Sequence, residues 1–459
     1  MLPDRTVAPA PFPSQIYYII GNEACERFSY YGVLGILEIY LVDRMKLGAE
    51  GATELLHIFG AAVYFLPLFG GWLADRYLGR YWTILSISVF YCLGHGCMAL
   101  FGDTRTGLFC GLALLAIGAG GIKPCVSAFV GDQFPDHDER ALTKVYTWFY
   151  WSINLGAAFA YFLIPLIHRS AGYSWAFGVP GIFMGLATLI FWLGRKRYLR
   201  EPPGKISGAT TLSTVVLYGL ARLGLVKKTF APPATRDALA VWRILGIFAT
   251  IPFFWALFNQ VNSTWVLQGN AMIPSWNWHG EALLNGETMQ AAGAVLVMIW
   301  APILAVFIYP LLSNIGIHPT PLRRMSAGMV LGAVAFVGAG LLQSQLDHGA
   351  RLSIAWQLAP YSILEAGEVM LSATALEFAY SQAPAGMKSI ITSFWLMTIA
   401  GGHFLVALLT RLNEIYVHAA GARLFYFFAL LMFAIAALFI LCAARYKQNE
   451  AADPLGVGI

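Results

Sequence analysis

Long apolar runs alternate with short polar ones along this chain, and the runs share a length. A helix needs about 20 mainly apolar residues to cross a bilayer. Twelve stretches meet that requirement: 15 to 44, 51 to 74, 81 to 102, 106 to 130, 141 to 167, 173 to 194, 242 to 268, 288 to 313, 321 to 345, 353 to 382, 386 to 411 and 421 to 445. The pattern predicts an all-α membrane protein with twelve transmembrane helices in two six-helix bundles. The first fourteen residues are Pro-rich and lack the apolar core and cleavage site of a signal peptide, so the first span is read as a retained insertion signal.

The stretch from 195 to 243 separates the halves. It holds ten Lys and Arg together with Pro202, Pro203, Pro232 and Pro233. The organisation follows as an N-terminal segment 1–14, a bundle 15–194, a linker 195–241, a second bundle 242–446 and a tail 447–459. The middle of the linker, Thr211 to Val226, is apolar enough to lie on the membrane surface as an amphipathic helix, a reading preferred to a further short span.

Composition supports the membrane class, with 58% hydrophobic residues and 12% charged against roughly 25% charged in soluble domains. A soluble protein, a disordered chain and a secreted disulfide scaffold are excluded. The cysteines Cys25, Cys92, Cys97, Cys110, Cys125 and Cys442 all lie in apolar spans without metal-ligand spacing, and read as small core residues. The net charge of +5 is not a nucleic-acid signature, because the basic residues fall in short loops. Cytoplasmic loops retain positive charge. With the N-terminus inside, twenty of the 29 Lys and Arg are cytoplasmic and seven are outside, Arg27 and Lys123 lying within spans. Both termini are therefore placed in the cytoplasm. Two halves around a basic linker are also the outline of a transporter built from repeats, with substrate near the midplane.

An ionisable group at bilayer depth is costly and marks a functional candidate. Glu23, Glu26 and Arg27 share one face of the first span, and Tyr30 and Tyr31 continue it. Two carboxylates on one guanidinium cannot both be fully compensated, so one could load and release a proton. A permanent ion cluster that locks the helix is the structural alternative. Lys123 lies in Gly118-Ala-Gly-Gly-Ile-Lys-Pro124 and Glu368 in Glu365-Ala-Gly-Glu-Val-Met-Leu-Ser372, on the fourth helix of each half. Opposite charges on equivalent helices make a bipolar site: Arg27 and Lys123 for a substrate carboxylate, Glu368 for its ammonium. A plain bridge between bundles is the competing reading. His57 has Tyr64 two turns along its face, and taken alone reads as a core histidine; His95 and His403 read the same way. Trp255, Asn259, Asn262 and Gln268 share a face that could line a cavity, while Trp265 also suits the interfacial belt. Glu38 and Glu377, near span ends, are read as reaching water.

These residues resemble the proton-dependent oligopeptide transporters of the major facilitator superfamily over nearly the whole chain. Glu23-Ala-Cys-Glu-Arg-Phe-Ser-Tyr-Tyr-Gly32 is similar to that family's ExxERFxYYG signature. Gly70-Gly-Trp-Leu-Ala-Asp-Arg-Tyr-Leu-Gly-Arg80, Gly120-Gly-Ile-Lys-Pro124, Phe149-Tyr-Trp-Ser-Ile-Asn-Leu-Gly156, Phe254-Trp-Ala-Leu-Phe-Asn-Gln260 and Leu376-Glu-Phe-Ala-Tyr-Ser-Gln-Ala-Pro384 add matches in the expected order.

The resemblance implies a major facilitator fold and a symporter of di- and tripeptides that needs no cofactor beyond the coupling proton. It is expected to act as a monomer in the plasma or inner membrane. It assigns proton coupling to Glu23, Glu26, Arg27, His57 and Glu368. The peptide would meet Arg27, Tyr30, Tyr31, Tyr64, Lys123, Asn154, Trp255, Asn259, Gly293, Glu368, Ser372 and Trp395. His57 matches a histidine that animal-type members use near the outer gate, which reverses the reading taken from the residue alone.

Three departures stand out. Leu34 replaces a usual Arg and Asn259 a usual acid, so both partners of one cross-bundle bridge are lost together, as they must be if neither charge is to lie buried alone. Gly293 replaces an Asn near the peptide amino group and offers space without a hydrogen bond. The linker lacks the two extra spans of many bacterial members. Transport of nitrate, a drug or a metabolite, and a nutrient sensor on the same scaffold, are the alternatives. An enzyme is disfavoured because no metal motif or nucleophile constellation lies at membrane depth.

Overall fold

The computed structural model describes residues 13–134, 139–200, 202–203, 212–226, 232–278, 281–382 and 388–446. Nearly all of the proposed N-terminal segment, the tail, much of the linker and the end of the motif at Pro384 lie outside these residues.

Twelve spans are present. In the first half, α1 is Gln15–Ile39, extended by a wide π turn Tyr40–Arg44. The second span, α2, is Gly48–Phe65 and Pro67–Leu73, closing in a π turn Ala74–Leu78; α3 is Gly79–Phe101 and α4 is Arg105–Asp132. The long helical stretch Glu139–Leu193 is two spans, α5 and α6, because Gly172 has φ 83°, a left-handed backbone that breaks the rod.

In the second half α7 is segmented into Pro232–Phe248, Ile251–Phe258, a 3-10 turn Asn259–Asn262 and Thr264–Asn270. A hairpin of β1 Ser275–Trp278 and β2 Glu281–Leu284 follows. Then come α8 (Gln290–Pro302, a π turn Ile303–Ile308, and Tyr309–Asn314), α9 Pro321–Asp347, α10 (a 3-10 turn Ile354–Gln357, then Leu358–Gln382), α11 Lys388–Leu412 with a π turn Asn413–Val417, and α12 Ala422–Arg445.

Among the described residues, eight helical segments are long and apolar enough to cross a membrane, and two of these, Gly48–Phe101 and Lys144–Lys196, each contain two consecutive spans. The spans outside that set, α1 and α10, are those that carry buried carboxylates.

Two large cores form, one running from Ile16 to Tyr198 and one from Val215 to Phe439, with a smaller cluster of Val297, Leu304, Val369 and Met370 between α8 and α10. The outward faces stay apolar, with Leu100, Phe101, Phe307 and Leu430 exposed, as expected where lipid replaces water. The linker helix Leu212–Arg222 is too short to span, at about 1.5 Å per residue. It docks on the second bundle, burying Val215 and Tyr218 while Trp242 Nε1 donates to Val215 O at 3.0 Å. The second bundle also begins earlier than the apolar pattern suggests: α7 starts at Pro232 and buries Ala238 and Val241, positions hidden from a hydropathy reading by Arg236 and Asp237. Trp265 is fully buried against Tyr361 and Phe336, so it belongs to the core and not to an interfacial belt.

The bundles touch at the end opposite Gln15 and Arg445, where the first span begins and the last one ends. There Tyr161 Oη donates to Asn262 Oδ1 at 2.7 Å and Gln290 Nε2 donates to Gly35 O at 3.0 Å. His168 and Arg169 each lie 3.8 Å from Glu287, and Arg169 reaches Ala282 O of the hairpin. Nearby, Arg44 grips Asp103 through two bonds of 2.8 and 2.7 Å, which holds the Asp103 carboxyl below the usual carboxylate range.

Candidate functional site

The ion cluster of α1 is buried in the first bundle. Arg27 Nε lies 2.8 Å from Glu23 Oε1 and 2.6 Å from Glu26 Oε2, with all three side chains nearly inaccessible. The Nε–H is aligned with neither oxygen, so the contacts are ionic more than hydrogen-bonded. One guanidinium shared by two carboxylates pairs fully with neither, so either can exchange that contact for a proton. The site is held tight by Gly156 of α5, since a Cβ there would lie 2.6 Å from Ala24 O and 3.1 Å from Arg27 Cβ. The Asn154 amide, two residues earlier, donates to Tyr150 O of its own helix at 3.0 Å.

Lys123 stands beside this cluster. Its Nζ lies 3.9 Å from the ring centre of Tyr30 and 4.1 Å from that of Tyr64, and it has no hydrogen-bond partner. A desolvated cation–π contact is worth about 2 kcal/mol, enough to hold the ammonium but not to replace its hydration. A free anion receptor results. Tyr31 packs edge-on against Tyr30 and reaches Tyr161 of α5.

In the second bundle Glu368 Oε1 accepts from Ser372 Oγ at 2.5 Å, while Oε2 is unpartnered. Lys123 and Glu368 form no ion pair, so the plain bridge between bundles, one of two readings of the sequence, is not made in this structure. Trp255 and Trp395 pack edge to face at 5.9 Å, and the Trp255 Nε1 is free. Asn259 is buried with its Nδ2 unpartnered. Leu34 is buried too, and the nearby cross-bundle bond is made instead by Tyr161 and Asn262. The space left by Gly293 is occupied: a Cβ there would lie 2.6 Å from Glu365 Oε1.

His57 joins the bundles. Its Nδ1 meets His403 Nδ1 at 2.9 Å and its Nε2 meets Ser263 Oγ at 2.9 Å, and the His403 ring stacks on Tyr64. His403 is therefore no idle core histidine, which corrects its sequence reading. His95 does remain one, bonded to Ser29 Oγ at 2.6 Å and stacked on Tyr91. Glu38 is also corrected. It does not reach water but is 1% exposed, with Oε1 accepting from Thr53 Oγ1 at 2.6 Å. Glu377, paired with Arg324 at 3.6 Å, is open to solvent.

A family model described as "POT family" matches residues 81–231 and 230–421 of this chain. The chain belongs to the POT family. A POT family crystal structure described as an auto-inhibited peptide transporter shares 39% sequence identity, with a TM-score of 0.86 over 95% of this chain and 98% of its own. Another, described as a proton-dependent oligopeptide family transporter, shares 36% identity with a TM-score of 0.78 over 92% of this chain and 100% of its own. Solute carrier family 15 member 2 of Mus musculus is 33% identical over 365 residues, 73% of this chain and 50% of its own length. Peptide transporter family 1 of Drosophila melanogaster is 34% identical over 377 residues, 76% of this chain and 50% of its own. The chain thus spans about half the length of the curated relatives it matches. POT membership makes this a multi-pass membrane protein of the two-bundle, twelve-helix fold.

Proposed function

We propose that this chain is a symporter that moves di- and tripeptides together with protons by alternating access between its bundles, and that it is not an enzyme. The observation that carries this reading is the buried Lys123 ammonium, without a hydrogen-bond partner over Tyr30 and Tyr64 and beside a guanidinium shared by two carboxylates. A peptide carboxylate satisfies Lys123 and Arg27, and the peptide ammonium takes the free oxygen of Glu368. Glu23 and Glu26 compete for Arg27, so when a substrate carboxylate draws on that guanidinium, one of them takes up the coupling proton. His57 and Glu368 serve the same coupling at the gate and at the ammonium end. Tyr31, Asn154, Trp255, Asn259, Gly293, Ser372 and Trp395 line the path. The names of the relatives, solute carriers and peptide transporters, support the same substrate class. The protein acts as a monomer in a plasma or inner membrane, with both termini in the cytoplasm and no cofactor beyond the proton.

The test is uptake of labelled di-alanine by the purified chain in proteoliposomes under an inward proton gradient. Accumulation against a concentration gradient is expected, and Glu23→Gln or Glu26→Gln should abolish it while leaving some exchange of peptide for peptide. Undiminished accumulation in both variants would overturn the coupling assignment.

A further inference from the structure

Glu365, in the same motif as Glu368, has no role in the reading above. Its side chain is 2% exposed and has no hydrogen-bond or ion-pair partner among the described residues. A spacing of three residues sets it one turn from Glu368 on the same face of α10, with Cβ atoms about 5–6 Å apart. The contact with Gly293 defines where its carboxylate points. The oxygen stands in the volume that any side chain at 293 would fill, so α8 gives up a side chain and α10 supplies a charge. Gly293 is buried on α8 one turn after Gln290, whose Nε2 donates to Gly35 O of the first bundle, so the Glu365 carboxylate lies on the side of α10 that meets the seam between the bundles. The ion pairs within the second bundle among the described residues, Arg324 with Glu377 and Arg411 with Glu414, involve neither carboxylate. A buried carboxylate without a cation is costly, and is retained where a cation comes to it.

We infer that Glu365 and Glu368 form a two-carboxylate wall that receives two positive groups of one substrate, so that the protein selects small peptides with a basic first residue. The α-ammonium takes Glu368 and the side-chain cation turns toward Glu365. A basic residue at the C-terminal position instead brings its cation toward Lys123 and Arg27, where it is repelled. This selectivity rests on the peptide-transport reading above.

The experiment measures competition by Lys-Ala, Ala-Lys, Ala-Ala and Nε-acetyl-Lys-Ala against labelled di-alanine on the full chain. A charge-assisted bond predicts that Lys-Ala binds at least about tenfold tighter than Ala-Lys and than its acetylated form. Glu365→Gln should bring the Lys-Ala to Ala-Lys ratio close to one, and Glu365→Asp should retain most of it. Equal binding of Lys-Ala, its acetylated form and Ala-Lys by the unaltered protein overturns the inference without need of any variant. Glu365→Gln weakening all four peptides by one factor also overturns it, and leaves Glu365 a structural or proton-carrying group. Failure of the unaltered chain to bind di-alanine at all sinks the transport reading and this inference together, whereas good di-alanine binding with a flat ratio sinks this inference alone.

Discussion

Tyr161→Phe is the smallest change that probes how the bundles close. It removes one oxygen and keeps the ring that packs beside Tyr31. The lost bond, Tyr161 Oη to Asn262 Oδ1 at 2.7 Å, is buried and crosses from one bundle to the other. Asn262 Nδ2 keeps only a long contact of 3.4 Å to Asn259 O, so the amide has little to fall back on. Leaving a buried acceptor unpaired costs about 1–3 kcal/mol. In an alternating-access cycle that cost falls on the closed form alone, because parted helices let both groups reach water. The closed population should drop by a factor of about 5 to 150 relative to the open one. Spin labels at Glu50 and His418, both exposed, with the exposed Cys110 replaced, would read the distance between the bundles at this end. A longer distance should gain population in Tyr161→Phe and again in Asn262→Ala, and the double variant should add little more, with a coupling of at least about 1 kcal/mol. An unchanged distance distribution together with a lowered melting temperature would refute the reasoning, since the bond would then persist in both states.

Two further outcomes follow from the geometry. Lys123→Ala should weaken di-alanine by about 10-fold to 150-fold but its C-terminal amide far less, because only the free carboxylate uses the ammonium; competition assays read both, and equal losses would make Lys123 a structural group. Gly156→Ala should destabilise the protein by about 1–3 kcal/mol through overpacking against Ala24 O, seen as a lower melting temperature in detergent, and an unchanged value would mean that α5 can shift away from α1 without cost.

The twelve spans were legible because bilayer thickness sets a minimum apolar length, and a run either has it or lacks it. The α1 cluster was legible for a local reason: residues at i, i+3 and i+4 must meet on one helix. Contacts between distant segments were not. His403 carries no mark in the sequence that separates it from His95, yet one meets His57 and the other meets Ser29. The same blindness affected Glu38, whose partner Thr53 lies beyond a turn, and Lys123, whose aromatic partners come from two other helices. The replacement at Gly293 was visible as a lost side chain, but only the packing of α8 on α10 reveals that Glu365 fills the gap.

The segmentation of α7 has a mechanical consequence. Its pieces meet at Thr250, ahead of Pro252, and again at Ser263, where φ −134° and ψ −92° leave the helical region altogether. Ser263 is also the residue that His57 grips from the other bundle. A fastening placed on a joint restrains the lever beyond it while passing little torque to the rod behind it. When the histidine lets go, the outer segment Thr264–Asn270 can swing as a short arm, while the inner segment keeps Trp255 seated against Trp395. The two ends of one span can thus move at different moments, so the gate can loosen before the floor of the cavity is disturbed.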